Sequence, residues 1–293
     1  MEPLVSINLV FHKDKSFFKP QLDSIEAQTY KNREVNIFDG QQNNIGFWAG
    51  QEKLLEKSNG KYIICMSDVI LDKNFVNKAV EIMEKDEAIG ALQAKILQSD
   101  GLIDTTGFEI FRSRKILNRG KQTRNEYPEG EIFAVEGAVP IFRREAIEDC
   151  KIEGHIIDPD YRIGPFGYGD DLDLAWRMRL FGWKQWYAPS VIGYHDRSTS
   201  IARDKIPLIK RQLDWCNVRF TLIKNEYIIN ILKDLPFWLV REIGVMVYTL
   251  LLEPRVFAIY PRFFSLLSCM LRRRKLIMKK AKISARDLRS LYT

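Results

Sequence analysis

Three acidic sites and one histidine in this sequence have the residue types that metal-assisted chemistry on a phosphorylated substrate requires. Asp68 follows the apolar run KYIICM, and a carboxylate at the end of a buried strand can hold Mg²⁺ or Mn²⁺ against a diphosphate. In the acidic cluster at 170–173, neighbouring negative charges raise a carboxylate pKa, so one member could accept a hydroxyl proton as a general base. His195 could complete a metal site through a neutral ring nitrogen, and Asp39 could accept hydrogen bonds from a nucleoside.

Each of these positions also has a purely structural explanation. Asp39 and Asp68 could cap the turns that follow their strands, and the acidic cluster could cap the first turn of a helix. A single histidine such as His195 is more often structural than catalytic. Only the combination and order of these residues favour a functional site.

The first seventy residues alternate between strand and helix patterns. Apolar runs predict strands at 5–11, 34–39 and 61–66, separated by helical patterns near 17–28 and 46–57. This alternation predicts a parallel sheet, whose ligand sites lie at the carboxyl ends of the strands. Asp39 and Asp68 both lie at such ends.

The sequence patterns from residue 90 to residue 195 are less regular. Short apolar runs mixed with turn residues at 90–144 indicate an antiparallel extension with a substrate-facing loop. The string YGDDLDLAWRMRLFGW predicts an amphipathic helix with acidic residues in its first turn and Gly182 at its end. A short strand, KQWYAPSVIGYH, is predicted next, and His195 lies at its end.

The composition indicates a folded protein in a reducing compartment. Of the 293 residues, 46% are hydrophobic, enough to bury a core, and the four cysteines are widely spaced without a CxxC pair. The segment MEPLVSINLVF lacks the basic region and cleavage site of a signal peptide. We therefore expect a cytoplasmic protein.

The C-terminal part has a different character from the rest of the chain. From Leu235 onward, aromatic and aliphatic residues predominate, but the longest uncharged run, 243–252, has only ten residues, and a bilayer span needs about 20. This pattern predicts amphipathic helices in a membrane interface, broken at Pro254 and Pro261. A helical segment for dimerisation or for capping the core is the alternative.

The formal net charge of +7 is concentrated at the C-terminus, where residues 272–289 contain nine Lys or Arg and one Asp. Such a basic tail favours anionic lipid headgroups. No motif that reads RNA or DNA accompanies these charges, so we expect no nucleic-acid partner.

Six stretches of the first 200 residues occur in a characteristic order. They are FDG at 38–40, NIGFWAGQ at 44–51, GKYIICMSDVIL at 60–71, LQAKILQSDGLIDTTGFEIF at 92–111, VEGAVPIFRREAI at 135–147 and YGDDLDLAWRMRLFGWKQWYAPSVIGYH at 168–195. In this order they resemble the family 2 glycosyltransferases of the GT-A fold, and particularly their bacterial rhamnosyltransferase-like branch. The last stretch is the most specific.

The resemblance implies an α/β fold of the GT-A type, which is Rossmann-like, with a mostly parallel central sheet and helices on both faces. We expect a GT-A domain at 1–205 and, at 206–293, a helical extension with C-terminal amphipathic helices and a basic tail.

The implied activity is inverting, metal-dependent transfer of a single sugar. The donor would be a nucleotide-sugar, with dTDP-rhamnose as the first expectation and a UDP-hexose as the second. The acceptor would be a hydroxyl of a lipid-linked saccharide in cell-surface polysaccharide synthesis. The cofactor would be Mg²⁺ or Mn²⁺, and the enzyme would be peripheral at the inner face of the cell membrane, with homo-oligomers possible.

The resemblance also assigns residues to roles. It implies that Asp171 is the general base, with Asp170 as its acidic companion, and that Asp68 and His195 bind the metal ion. The residues implied for nucleotide-sugar binding are Asp39, Asn44, Gly46 and Asp68. The residues implied for the acceptor site are Gly137, Ala138, Trp176 and Arg177.

Two departures from the family pattern bear on these roles. The Gln-x-x-Arg-Trp motif of processive members is absent, and the nearest string, at 211–215, reads RQLDW, so single-sugar addition is favoured over polymer synthesis. The metal motif has Asp68 without a second aspartate before Asp72. A catalytically inactive scaffold of the same fold at the membrane is therefore the alternative.

Overall fold

The computed structural model describes residues 1–11, 15–195 and 205–293. The strands are β1 (Val5–Phe11), β2 (Arg33–Asp39), β3 (Tyr62–Met66), β4 (Ile70–Leu71), β5 (Ile89–Leu97), β6 (Ile103–Thr105), β7 (Phe108–Ile110), β8 (Ile116–Asn118), β9 (Gly130–Glu131), β10 (Ile141–Arg143), β11 (Arg162–Ile163), β12 (Phe166–Gly167) and β13 (Lys184–Tyr194). The α-helices are α1 (Lys15–Glu26), α2 (Phe47–Leu55), α3 (Phe75–Lys85), α4 (Arg144–Asp149), α5 (Asp170–Leu180), α6 (Leu208–Asn225), α7 (Ile228–Lys233), α8 (Leu235–Leu252), α9 (Tyr260–Lys280) and α10 (Ala285–Ser290).

Within the described ranges, nine strands form one sheet with the order β2-β1-β3-β10-β5-β13-β4, to which β6 and β9 add at β5 and β13. Strands β2, β1 and β3 are parallel, and β5 and β13 are parallel to each other. The short strand β10 is antiparallel to both β3 and β5, so the five longer strands all run in one direction. Their carboxyl ends meet at one edge, as the sequence predicts.

Both faces of this sheet are covered by helices. Along β3, Ile63 and Cys65 pack into one apolar cluster with α2, α4 and α5. The alternating residues Tyr62, Ile64 and Met66 pack into a second cluster with α1 and α3. A strand that is buried on both faces needs an uninterrupted apolar run, and YIICM is such a run.

The structure corrects two expectations about strands. The segment that begins at 90 is not only an antiparallel extension, because β5 is a nine-residue central strand parallel to β13. Seven of its nine residues are buried, so its apolar pattern serves both faces of the sheet and does not alternate. The strand leading to His195 is not short either, since β13 has eleven residues.

All elements from Leu208 onward are helical, and Pro254 follows the end of α8 as predicted, while Pro261 lies in the first turn of α9. The basic residues of α9 and α10 do not form a free tail. Arg273 forms ion pairs with Asp158 and Asp160, at 2.6 Å each, and Arg289 pairs with Asp234 at 2.6 Å. Several of the C-terminal cations therefore hold the helices against the rest of the chain.

Helix α8 is the most exposed apolar element in the described part of the chain. Only Thr249 of its eighteen residues is buried, whereas Val240 and Leu251 are 74% and 70% exposed. By length and composition alone, α8 could cross a membrane.

Candidate active site

A cavity of about 990 Å³ opens at the carboxyl edge of the sheet. Asp68, which follows β3, and His195, which follows β13, line it together with Asp171 at the start of α5. The backbone N–H of His195 donates to the carbonyl of Leu97 at 2.8 Å, which fixes the histidine at the end of β5. The parallel strands thus bring together residues that lie more than 100 positions apart in the sequence.

His195 and Asp68, which the resemblance assigns to a metal ion, lie in direct contact. Nε2 of His195 lies 3.1 Å from Oδ1 of Asp68, while its Nδ1 lies 3.0 Å from Oδ2 of Asp104. A carboxylate on Nδ1 orients the imidazole ring and makes Nε2 a better ligand. The ring is therefore held with Nε2 directed to the same region as the Asp68 carboxylate.

Asp104 is a candidate site residue that the sequence patterns do not single out. It lies in β6, which pairs with the end of β5, and its side chain is fully buried. Its spacing from His195 is 91 residues, so no local motif connects the two. The only available signal was its place in the 92–111 stretch, which resembles the rhamnosyltransferase-like branch.

The donor atoms fit a metal ion that is shared with a ligand. In the ranges that the structure describes, no group of three or more His, Cys, Asp or Glu side chains is arranged to hold a metal ion. One carboxylate oxygen and one ring nitrogen leave several coordination positions of Mg²⁺ or Mn²⁺ for diphosphate oxygens and water. Asp68 and His195 would hold the ion only together with such a ligand.

Replacing Asp104 by asparagine is expected to weaken Mn²⁺ binding about 10- to 100-fold in the presence of a nucleoside diphosphate, because the ring of His195 loses its orienting carboxylate. Titration of free Mn²⁺ by electron paramagnetic resonance measures this change. Asp100→Asn, on an exposed turn of the same segment, is the matched control. An unchanged Mn²⁺ affinity in Asp104→Asn would show that Asp104 is only structural.

Asp171 is positioned by the loop that the sequence predicts for the acceptor. The backbone N–H of Gly137 donates to Oδ2 of Asp171 at 2.9 Å, and the N–H of Leu172 donates to Oδ1 at 2.8 Å. A carboxylate has about four lone-pair sites, so these two bonds do not prevent Asp171 from accepting a proton. Because Asp171, Gly137 and Ala138 line the cavity together, the predicted base and acceptor loop are brought into one place.

Gly137 leaves the space that Asp171 occupies. A Cβ atom at position 137 would lie 2.8 Å from Oδ2 of Asp171 and 3.2 Å from its Cβ. Gly137→Ala is expected to displace the carboxylate and to lower kcat about 10- to 100-fold, since misplacing a catalytic group by 1 Å can cost that much. Steady-state kinetics would measure the loss, and Gly130→Ala, where nothing lies within 4 Å, is the control. Equal kinetics of both variants would contradict this role of Gly137.

The other two acidic residues of the cluster differ from Asp171 in their surroundings. Asp170 is buried, and this burial, followed by the charge of Asp171, raises its pKa well above the ordinary value. Burial would also raise the pKa of Asp173, but the charges of Lys224 and Arg177 outweigh it and lower that pKa to about 2. Asp173 therefore belongs to a buried ion-pair network. Asp170 and Asp171 both line the cavity, and Asp171 is the less buried of the two.

Of the residues predicted to bind the nucleotide-sugar, some line the cavity and one does not. Asn44 and Gly46 line the cavity, and Gly46 has φ +89°, where a Cβ atom would lie 2.6 Å from the carbonyl oxygen of Pro165. Asp39 lies at the end of β2, where it accepts a hydrogen bond from the backbone N–H of Gln41. It is not among the residues that line the cavity, so its nucleotide role stays a prediction.

The structure does not bring Trp176 and Arg177, which are predicted for the acceptor site, to the cavity. Trp176 is fully buried and packs edge-on against Phe133, at 5.0 Å between ring centroids. Arg177 pairs with Asp173 at 3.1 Å and also donates to the carbonyl of Ile156. Both lie on the face of α5 that packs into the core, because only the first turn of this helix borders the cavity.

No family model matches the sequence, and no curated protein matches it. Among solved structures, the chain is similar to GalNAc-T7 with UDP, GalNAc and Mn²⁺, at 14% identity and a TM-score of 0.52, over 76% of this chain and 50% of that one. It is also similar to the mannosyltransferase PcManGT from Pyrobaculum calidifontis in complex with GDP-Man and Mn²⁺, at 11% identity and a TM-score of 0.48, over 96% and 86% of the two chains. S. aureus TarS 1–349 in complex with UDP-GlcNAc gives 11% identity and a TM-score of 0.48, over 94% and 90%.

The chain spans half the length of GalNAc-T7. At 14% identity this likeness concerns the fold alone. The chain has the α/β fold of the GT-A glycosyltransferases, with a mostly parallel central sheet.

Proposed function

We propose that this protein is a glycosyltransferase that moves a single sugar from a nucleotide-sugar to an acceptor hydroxyl with inversion at the anomeric carbon. The observation that carries the proposal is that Asp68, His195 and Asp171 line one cavity at the carboxyl edge of a GT-A sheet. The bound UDP and Mn²⁺ named for the similar GalNAc-T7 structure support a nucleotide and a divalent metal ion as ligands.

In this mechanism, Asp171 accepts the proton of the acceptor hydroxyl while the hydroxyl oxygen attacks the anomeric carbon. The bond between that carbon and the nucleoside diphosphate breaks on the opposite side, so the configuration inverts. The Gly137 N–H holds the carboxylate of Asp171 in place at 2.9 Å. Burial and the charge of Asp171 raise the pKa of Asp170, which favours its neutral form beside the base.

Asp68 and His195 would hold the metal ion, which stabilises negative charge on the departing diphosphate when it is bound. No protein acid at the leaving oxygen is then required, in contrast to hydrolases that use two carboxylates. Asp104 keeps the ring of His195 oriented for this role.

We take dTDP-rhamnose as the first donor to test and UDP-hexoses as the second, on the resemblance to the rhamnosyltransferase-like branch of family 2. Purified protein should release nucleoside diphosphate from one donor of a panel, only when Mn²⁺ or Mg²⁺ is present, as measured by chromatography. Turnover of UDP-hexoses alone would overturn the rhamnose assignment. If no donor of the panel is turned over and calorimetry detects no donor binding, an inactive scaffold is favoured.

The acceptor we propose is a lipid-linked saccharide of a cell-surface polysaccharide, reached from the inner face of the cell membrane. Support comes from α8, whose exposed residues are almost all apolar along its length. Exposed cations of α9, such as Lys275 and Lys279, could contact anionic headgroups, at about 1 kcal/mol for each charge near the surface.

Flotation with vesicles tests this membrane proposal. Wild-type protein should float with vesicles that contain phosphatidylglycerol, and the double variant Val240→Glu, Leu251→Glu should float less, because it places two charges on the apolar surface of α8. Unchanged flotation of the variant would contradict the role of α8. A dimer in solution that this variant dissociates would indicate a protein interface in its place.

A further inference from the structure

The cavity that contains Asp171 reaches the C-terminal helices. Lys210 and Val218 of α6 and Arg241 of α8 line it together with the candidate base and metal-binding residues. One continuous space therefore connects the site of chemistry with the helix that carries the largest exposed apolar surface in the described ranges.

Helix α8 has two different faces. Trp238, Arg241, Glu242, Val245 and Thr249 are less exposed and recur at the spacing of one helical face, which packs against the protein. The rest of the circumference is exposed and mainly apolar. Arg241 thus lies on the inner side of a helix whose outer side suits hydrocarbon.

The inner wall carries excess positive charge. Arg241 donates to Glu242, and the same carboxylate pairs with Arg219 at 2.7 Å, so one negative charge is shared by two guanidinium groups. Lys210 forms no ion pair with any residue that the structure describes, although Asp214, one turn further along α6, also lines the cavity.

Two further cations border the same cavity from the β7–β8 hairpin and the turn that follows it. Lys115 and Lys121 are exposed and line the cavity. Asp68, Asp170, Asp171 and Asp214 line it as well, so the cavity wall holds both cations and carboxylates. Of these lining cations, Arg241 lies on α8 itself, and Lys210 lies on α6, which the Arg219–Glu242 ion pair joins to α8.

We infer that Lys210 and Arg241 bind the phosphate of an acceptor whose sugar is carried on a phosphate ester of an apolar chain. The apolar chain lies along the exposed face of α8, and the sugar hydroxyl reaches Asp171 through the cavity. The inference rests on the proposed transferase function and adds the chemistry by which the acceptor is recognised. Charge-assisted hydrogen bonds to phosphate, together with burial of the chain, supply the affinity.

Farnesyl diphosphate, below its micellar concentration, is the probe for this site, and isothermal calorimetry is the measurement. Wild-type protein should bind it more tightly than inorganic pyrophosphate, because only farnesyl diphosphate has the apolar chain. Lys210→Gln and Arg241→Gln should each raise the Kd of farnesyl diphosphate about tenfold, the usual loss for one hydrogen bond to a charged group. Lys233→Gln, an exposed cation outside the cavity on α7, should leave that Kd within about twofold.

Titrations with UDP, dTDP and GDP in the presence of Mn²⁺ distinguish a failure of this inference from a failure of the proposed function. If the two substitutions weaken nucleoside diphosphate binding as much as farnesyl diphosphate binding, these cations serve the donor and the inference is overturned. Equal affinities for pyrophosphate and farnesyl diphosphate would also overturn it, even if a nucleoside diphosphate binds and the transferase proposal stands. Binding of farnesyl diphosphate that depends on Lys210 and Arg241, without any nucleoside diphosphate binding, would support the site and contradict the transferase.

Discussion

Replacing Asp171 by asparagine is expected to lower the rate of sugar transfer about a thousandfold, which is within the range that general-base catalysis contributes. Asparagine keeps an oxygen that can accept the Gly137 N–H, but it cannot take the acceptor proton. The affinity for donor and Mn²⁺ should stay within about twofold, because Asp171 does not belong to the metal-binding pair. Single-turnover kinetics and calorimetry measure the two quantities separately.

Asp170→Asn is the matched comparison on the neighbouring residue. Since its burial and the charge of Asp171 already favour the protonated form of Asp170, an amide there is expected to cost less than about tenfold in rate. If Asp170→Asn instead lost a thousandfold and Asp171→Asn stayed active, the two carboxylates would have to exchange their assigned roles.

Replacing Asp173 by alanine is expected to lower the free energy of unfolding by about 3–5 kcal/mol, the loss that follows when one partner of a buried ion pair is removed. Asp173 is 1% exposed and lies 2.9 Å from the ammonium of Lys224 and 3.1 Å from the guanidinium of Arg177. The network joins α5, which carries Asp171, to α6. Urea unfolding followed by circular dichroism measures the change.

Asp23→Ala is the control, because Asp23 forms an ion pair of the same i,i+4 spacing with Lys19 on the exposed surface of α1. Its loss should cost no more than about 0.5 kcal/mol. Similar losses in both variants would contradict the importance of burial at Asp173.

The pH dependence of stability provides a second test, in case Asp173→Ala fails to fold. The pKa of Asp173 is about 2 in the folded protein, below its ordinary value of 3.8, so the ionised form stabilises the fold. That contribution is complete above about pH 4 and is lost as the pH falls toward 2. The stability difference between wild type and Asp173→Asn should therefore shrink over this interval, and a constant difference would contradict the assignment.

Much of the fold follows from local patterns. The apolar runs of β1 and β3 predict these strands, because a strand that is buried on both faces needs apolar residues throughout. Gly182 predicts the end of α5, because its positive φ of +90° favours glycine. The same reasoning brings Asp68 and His195 to one edge, since parallel strands share their carboxyl ends.

Other features of the site do not follow from local patterns, because the sequence does not show which face of an element is turned to the cavity. Trp176 and Arg177 share a motif with Asp171 but lie on the buried side of α5. Asp104 contributes through a contact 91 residues distant in the chain, and no spacing rule finds it. The pairing of Arg273 with Asp158 and Asp160 likewise depends on tertiary packing, so the run of basic residues alone does not predict it.

Calorimetric titration of UDP, dTDP and GDP, each with and without Mn²⁺, tests the central claim most directly, because it needs neither the donor sugar nor the acceptor. We predict that one of the three binds at least about tenfold more tightly with Mn²⁺, since the ion offsets charge on the diphosphate, and that Asp68→Ala removes this gain. Failure of all three nucleotides to bind, or binding that is independent of both Mn²⁺ and Asp68, would contradict a metal-assisted nucleotide-sugar site in this cavity.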